Sequence, residues 1–392
     1  MSRRARFEPY KPRQILNKHR RPDHWFWARY TAYPYLGCQH GCEFCYCREQ
    51  KYSPHKDPCD FAYVIRVKEN ASELLRTALG RAKVDLICTG DYQPAERKFC
   101  ISRRMLEVCR DLGFPVFTLE RSPLILRDLD VLQDINSRAP SVIAFSGISA
   151  PESPNAAAIR RMEHLAPPPE KRFAAMQAFA ASGFLTGTCF MPILPDLCDD
   201  DSNLEAVVRA TADHGGKFVL AGSLTLADQQ RQYFLGFLAD NFPHLLQRYE
   251  ALYPPGSYGP QRYAWPKIAR RIRELCAKYG IRDRIPRPII PGEKHALNKR
   301  IVEVLAEQIY ALEIDEAPNA TVWALRKAGW AIEDLEQDLG MVYRAMGLKG
   351  LQSIPSIGTA LGKTVEGMLL ALGQEKMTAP PWLERPQDAE KA

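Results

Sequence analysis

Three cysteines within a span of eight residues constrain this chain more than any other feature. The run Gly37-Cys38-Gln39-His40-Gly41-Cys42-Glu43-Phe44-Cys45-Tyr46 carries them at C-x3-C-x2-C spacing, with no fourth cysteine at a matching distance. Thiolates are the ligands of iron–sulfur clusters, and a [4Fe–4S] cube normally takes four. Three thiolates from one loop hold three irons and leave the fourth open to a small molecule. A structural zinc loop is the plainer alternative, but zinc wants four protein ligands in paired spacing. His40, between two of the cysteines, is awkward for a tetrahedron, and Cys45-Tyr46-Cys47 is too tight for a zinc knuckle. The pattern therefore predicts a [4Fe–4S] cluster on Cys38, Cys42 and Cys45.

The 392 residues have room for one large domain and one small one. No run approaches a membrane-spanning length of apolar residues, so no membrane partner is expected. Met1-Ser2-Arg3-Arg4 lacks the apolar stretch of a secretory signal. Eleven cysteines in such a chain suit a reducing, cytoplasmic setting. The net charge of +7 is unevenly placed: residues 1–30 and 257–290 each carry nine Lys/Arg against two acids, so the rest sums to −7. Such concentration suggests a polyanion partner, although two solvated basic arms would give the same count.

From residue 61 to about 226, short apolar runs alternate with helical patterns. Strands are expected at Val84–Cys88, Val116–Leu119, Val142–Ser146, Thr186–Ile193 and Phe218–Leu226, with a first strand near Ala32–Leu36. Helices are expected near 71–82, 97–111, 123–137, 170–182 and 203–213. Continuous apolar strands separated by amphipathic helices indicate parallel βαβ units, about six of them. The chemistry of such folds sits at the carboxyl ends of the strands, where the cysteine loop and Cys88 fall. Asn241–Tyr258, with its prolines, reads as the exit from this unit, and Pro266–Tyr279 as a basic amphipathic helix. A proline-rich hinge follows, and the chain is helical from Gly292 onward.

The cysteine loop resembles that of the radical S-adenosylmethionine (SAM) enzymes. In that superfamily the open iron chelates SAM, and one electron cleaves it to a 5′-deoxyadenosyl radical. Tyr46 matches the aromatic that often lies near the adenine. Residues 30–255 further resemble the spore photoproduct lyase family and its DNA repair photolyase relatives. The resemblance rests on Asp91-Tyr92-Gln93-Pro94-Ala95-Glu96, Arg127-Asp128-Leu129-Asp130, Glu163 with Arg172, and Met191-Pro192-Ile193-Leu194-Pro195. Cys88-Thr89-Gly90-Asp91 resembles the lyase motif whose cysteine returns hydrogen to the product radical, which implies that role for Cys88; a buried core thiol is the alternative. Arg121 stands where the family has a lysine and can pair with the SAM carboxylate. Ser146 matches a SAM-contacting serine, and Asp91 falls in the same cofactor region. Phe44 replaces a family tyrosine, and Gly90 replaces a SAM-contacting serine. The implied fold is α/β, a partial (β/α)6 radical SAM barrel followed by a small all-α domain.

Residues 298–372 resemble the amino-terminal domain of family X DNA polymerases, from Asn298-Lys299-Arg300-Ile301 through Leu325-Arg326-Lys327-Ala328 to Ile354-Pro355-Ser356-Ile357-Gly358. The last run resembles a helix-hairpin-helix, which implies DNA backbone contacts from Gly358 and Lys327, with Arg270 and Arg271 of the basic helix. A bundle turn with an Ile-Gly cap is the alternative. Lys363 falls one residue short of the lyase lysine of that domain, so no lyase activity is carried over.

The expected organisation is a basic arm (1–30), a radical SAM barrel (31–256), a basic helix and linker (257–291), a helix-hairpin-helix domain (292–376) and a flexible tail (377–392). The expected function is SAM-dependent radical chemistry on damaged duplex DNA, repairing a pyrimidine lesion. A reductase or a flavodoxin- or ferredoxin-type electron donor would be a further partner. The rivals are radical SAM modification of RNA or a peptide, and a non-catalytic iron–sulfur DNA-binding redox sensor.

Overall fold

The computed structural model describes residues 3–374; the tail expected at 377–392 lies outside them. The chain opens with strands β1 (Arg6–Tyr10), β2 (Asn17–Lys18), β3 (Tyr30–Thr31) and β4 (Tyr35–Leu36), then passes through the cysteine loop to β5 (Val64–Lys68). Helix α1 (Ala71–Leu79) leads to β6 (Ile87–Cys88), and α2 (Glu96–Phe99) with α3 (Ile101–Leu112) leads to β7 (Val116–Glu120). Helix α4 (Leu129–Asn136) precedes β8 (Val142–Ser146), α5 (Ala156–Met162) and α6 (Pro169–Ala181) precede β9 (Leu185–Ile193), and α7 (Asp201–Asp213) precedes β10 (Phe218–Ser223). Seven helices close the chain: α8 (Asp228–Asn241), α9 (Pro243–Leu252), α10 (Trp265–Lys278), α11 (Ala296–Ile314), α12 (Asn319–Glu333), α13 (Leu339–Gln352) and α14 (Thr359–Gln374). None of the described helices is long and apolar enough to cross a membrane.

The main sheet runs β10-β9-β8-β7-β6-β3-β2. Its six strands from β10 to β3 are parallel, and β2 is antiparallel to β3. This is the six-unit parallel α/β architecture expected from the sequence. The first strand is shorter than expected. The barrel strand is Tyr30–Thr31, just before the expected run Ala32–Leu36, within which Tyr35–Leu36 forms β4, leaves the barrel and pairs with β5, which also pairs with β1. The strand expected from Val84 begins only at Ile87, and Val84 is exposed.

Side chains alternate across the parallel sheet as the two-residue period requires. Ile87, Val116, Ile143, Phe145 and Val219 join the core beneath the crossover helices. Leu86, Cys88, Phe117, Val142, Ala144 and Leu220 face the other way, into a core shared with Trp27, Ile285 and the α11 residues Ile301, Val302, Leu305 and Ile309. The carboxyl-terminal helices are thus packed onto the inner face of the sheet.

The segment expected to be a linker is also part of the barrel. Ile268, Ile272 and Leu275 of α10 lie in the crossover-helix core. Arg282 adds a parallel bridge to Phe218 at the sheet edge, so the chain leaves the barrel near Ile285, not within Asn241–Tyr258. The basic arm is likewise built in, through β1 and β2. Arg29 pairs with buried Asp85 at 2.8 Å and with Glu333 at 3.1 Å. Arg287 joins Glu333 at 2.8 Å, and Lys299 joins Asp85 at 3.3 Å. One buried ionic network therefore ties the arm, the barrel and the carboxyl-terminal helices together.

Candidate functional site

The cysteine loop leaves β4 at Gly37, where φ is +81°. A Cβ there would lie 2.7 Å from the Val64 carbonyl oxygen, so only glycine fits. The Cys38 N–H donates to the Phe61 carbonyl at 2.9 Å and the Glu43 N–H to the Met162 carbonyl at 3.0 Å. Arg48 lies beneath the loop and is 1% exposed. Its guanidinium donates to the carbonyls of Gly41 (2.9 Å), Cys42 (3.3 Å) and Pro58 (2.5 Å) and stacks on Tyr233 at 4.1 Å and Phe61 at 4.8 Å. The loop's path is thus set by glycine geometry and one buried cation.

The three thiols differ in environment. Burial pushes Cys42 up to about 11 and Cys38 well above the ordinary thiol range. A hydrogen bond to the Cys47 thiol pulls Cys45 down to about 7 against its own burial. Among the described residues no three His, Cys, Asp or Glu side chains converge on one point as a single ion requires. The loop also buries polar atoms that lack partners, Gln39 Oε1 and both ring nitrogens of His40. Burial, with Arg121 and Arg172 nearby, pushes His40 down to about 3, so its ring is neutral. Orphaned donors and acceptors beside three thiols fit a polar group seated in the loop.

The Asp91–Glu96 run locks this loop to the barrel. Gln93 Nε2 donates to the Gly37 carbonyl (3.1 Å) and to Asp91, and Gln93 Oε1 accepts from the Gln39 N–H at 3.0 Å. Burial pushes Asp91 up to about 7, against its bonds from Gln93. Tyr92 donates to buried Asp128 at 2.8 Å. Glu96 accepts from the Ile101 and Ser102 N–H groups at 3.0 and 3.1 Å and pairs with Arg127 at 2.9 Å, which caps α3.

Arg121 and Arg172 share Glu163, which both bind; Arg172 does so at 2.6 Å. Burial alone would raise Glu163, but Arg172 and Arg121 outweigh it and hold it below the ordinary carboxylate range. Arg121 also lies 5.4 Å from the Phe44 ring centroid. Ser146 ends β8, and its carbonyl accepts from Arg172 at 3.1 Å. Cys88 ends β6, is 7% exposed, and has its Sγ 2.9 Å from the Tyr33 hydroxyl. Tyr46 is half exposed.

Two residues here went unread in the sequence. Tyr33 gave no signal. Glu120, buried at the end of β7, accepts from the Asp91 and Tyr92 N–H groups at 3.0 and 3.1 Å. It also explains Gly90, where φ is +116° and a Cβ would lie 2.6 Å from Glu120 Oε1. A serine there would displace the Glu120 carboxylate and strain the backbone at positive φ, so the departure at Gly90 was the available clue.

The residues expected on DNA separate into two groups. Lys327 lines a hollow of about 370 Å³ with Arg21, Trp330, Asp334, Pro355 and Ser356, at the turn before α14. Gly358 in that turn faces open space. Arg270 and Arg271 lie elsewhere, in ion pairs with Asp315 and Asp201 that hold α10 to its neighbours. Arg273 and Lys278 are paired with Asp283 and Glu205. Most of the basic helix is thus neutralised by the protein's own carboxylates.

With the cysteine loop at the rim of a six-unit parallel barrel, the chain has the fold of the radical SAM enzymes. Solved structures agree on the fold. A cysteine-to-serine mutant of spore photoproduct lyase superposes with a TM-score of 0.51 at 13% identity, covering 71% of this chain and 81% of that one. An uncharacterized protein of Mycobacterium tuberculosis is 29% identical over 259 residues, 64% of this chain and 74% of the relative. One of Methanocaldococcus jannaschii is 27% identical over 179 residues, 44% and 63% of the two chains. No family model matches this chain.

Proposed function

We propose that the chain is a radical SAM enzyme that acts on DNA and repairs a pyrimidine lesion. The observation that carries this reading is Cys88, a buried thiol at the carboxyl end of a barrel strand that bonds Tyr33, in a barrel whose rim also presents Cys38, Cys42 and Cys45. Those three cysteines would hold a [4Fe–4S] cluster, with Arg121, Asp91 and Ser146 about the SAM site and Tyr46 near its adenine. When bound, cluster and SAM supply a 5′-deoxyadenosyl radical once a flavodoxin- or ferredoxin-type donor delivers an electron.

Burial pushes Cys88 up to about 12, so at neutral pH it keeps its S–H hydrogen. A protonated thiol is what returning a hydrogen atom to a carbon radical requires; a thiolate has none to give. The spore photoproduct lyase name of the structural neighbours supports a photoproduct as substrate. For the DNA backbone, the reading uses the turn before α14, with Gly358, Lys327 and Arg21.

The test is product analysis. Anaerobically reconstituted protein, SAM and UV-irradiated DNA should yield restored thymine by mass spectrometry. Cys88→Ala should still cleave SAM but give altered or trapped adducts. SAM cleavage with no change in the irradiated DNA would refute the DNA reading.

A further inference from the structure

Beside the cysteine loop, next to Tyr46, lies a group of side chains that this reading does not use. Tyr46, Tyr52 and Tyr258 leave 52%, 45% and 50% of their surfaces open. The Tyr46 and Tyr52 rings meet edge to face at 5.3 Å. Lys51 Nζ lies 4.7 Å from the Tyr52 centroid and 5.0 Å from that of Tyr258, so one ammonium spans rings from two distant segments. Buried Glu49 fixes that ammonium at 2.8 Å. The Tyr258 carbonyl accepts from the Leu226 N–H at 3.0 Å, just past β10. The rings therefore run along the carboxyl rim of the barrel, from the cysteine loop to the end of the last strand. Scattered exposed aromatics are ordinary; a contiguous group at a site mouth marks an interaction surface.

The charges that follow Tyr258 along the chain say what it fits. Arg262 and Lys267 are exposed, and among the described residues neither has a carboxylate at ion-pair distance, whereas Arg270, Arg271, Arg273 and Lys278 each do. The uncompensated charge of the 257–290 segment thus includes the end that begins at Tyr258. Aromatic faces edged by free cations are complementary to an unpaired nucleic-acid strand: bases stack on the rings and phosphates meet the cations. An intact duplex hides its base faces and offers only the second contact.

We propose that Tyr52 and Tyr258, with Lys51, Arg262 and Lys267, form a docking face for an unpaired stretch of DNA at the mouth of the site. The inference rests on the DNA reading above and deepens it: the substrate reaches the barrel with its bases out of the stack, as enzymes that act on a base require.

The experiment is fluorescence anisotropy on the full chain with three labelled ligands: an oligothymidylate, an abasic strand of equal length and charge, and a duplex. Oligothymidylate should bind at least about tenfold more tightly than the abasic strand, the gain from stacking a base. Tyr52→Ala with Tyr258→Ala should erase that preference and leave abasic affinity unchanged. Tyr52→Phe with Tyr258→Phe, which keeps both rings, should retain it. Arg262→Ala with Lys267→Ala should weaken both strands alike. Equal binding of the two strands by the wild type, or an unchanged preference in the double alanine variant, would overturn the docking face and leave the DNA reading standing. Tighter binding of an RNA strand of matching sequence would overturn DNA as its occupant. No binding to any of the three ligands would overturn the DNA reading itself.

Discussion

Arg48 is the most consequential residue that carries no chemistry. Replacing it with Met keeps most of the stem and removes the guanidinium. The two shorter bonds, to Gly41 at 2.9 Å and Pro58 at 2.5 Å, each contribute about 1.5–3 kcal/mol as bonds from a charged donor. The bond to Cys42 at 3.3 Å contributes less. Stacking on Tyr233 and Phe61 adds about 1 kcal/mol. Against this, the variant no longer buries a charge. About 3 kcal/mol of net destabilisation remains, and it falls on the turn between Cys38 and Cys45. Urea unfolding of iron-free protein measures the loss, and iron retained after anaerobic reconstitution measures the loop. Arg48→Met should unfold at lower urea with unchanged slope and retain less iron than wild type, with Arg48→Lys between them. A wild-type urea midpoint together with wild-type iron in Arg48→Met would refute the argument.

Further outcomes follow from the same structure. Gly90→Ser, which restores the lyase family's residue, should destabilise the chain by about 1–3 kcal/mol, because it places a side chain on Glu120 at positive φ; thermal melts check this. Asp85 and Glu333 are held below the ordinary carboxylate range despite burial, Asp85 by Lys299 and Arg29, Glu333 chiefly by Arg287. Their stabilisation is present above the unfolded carboxylate pKa of about 4 and is lost as pH falls through their lower folded values. Asp85→Asn should therefore flatten the acid limb of the stability–pH curve. A fragment of residues 257–376 should not fold alone, since Ile268, Ile272, Ile301 and Leu305 are packed against the barrel; circular dichroism and size exclusion would show it.

The barrel was legible because its strands are apolar on both faces. Val142–Ser146 matches the sequence reading to the residue, and β7 and β9 each exceed it by one. The second sheet was not: β1 reads Arg-Phe-Glu-Pro-Tyr, half exposed with no apolar run, and only its pairing with β5 makes it a strand. The cysteines announce themselves by spacing. Arg48 and Glu120 do not, because each acts on backbone groups that the fold brings to it. The basic segment misled for a similar reason. Its charge count is real, but Asp201, Glu205, Asp283 and Asp315 answer four of its cations, and three of those acids lie outside the segment.

The most direct test of the central claim, that this loop is a radical SAM site, is 5′-deoxyadenosine release by anaerobically reconstituted protein given SAM and a low-potential reductant. Wild type should bind about four irons and release 5′-deoxyadenosine. Cys38→Ala, Cys42→Ala and Cys45→Ala should each abolish both, and Cys47→Ala should keep both. A reconstituted protein that holds zinc in place of iron, or holds iron yet leaves SAM intact, would contradict the account.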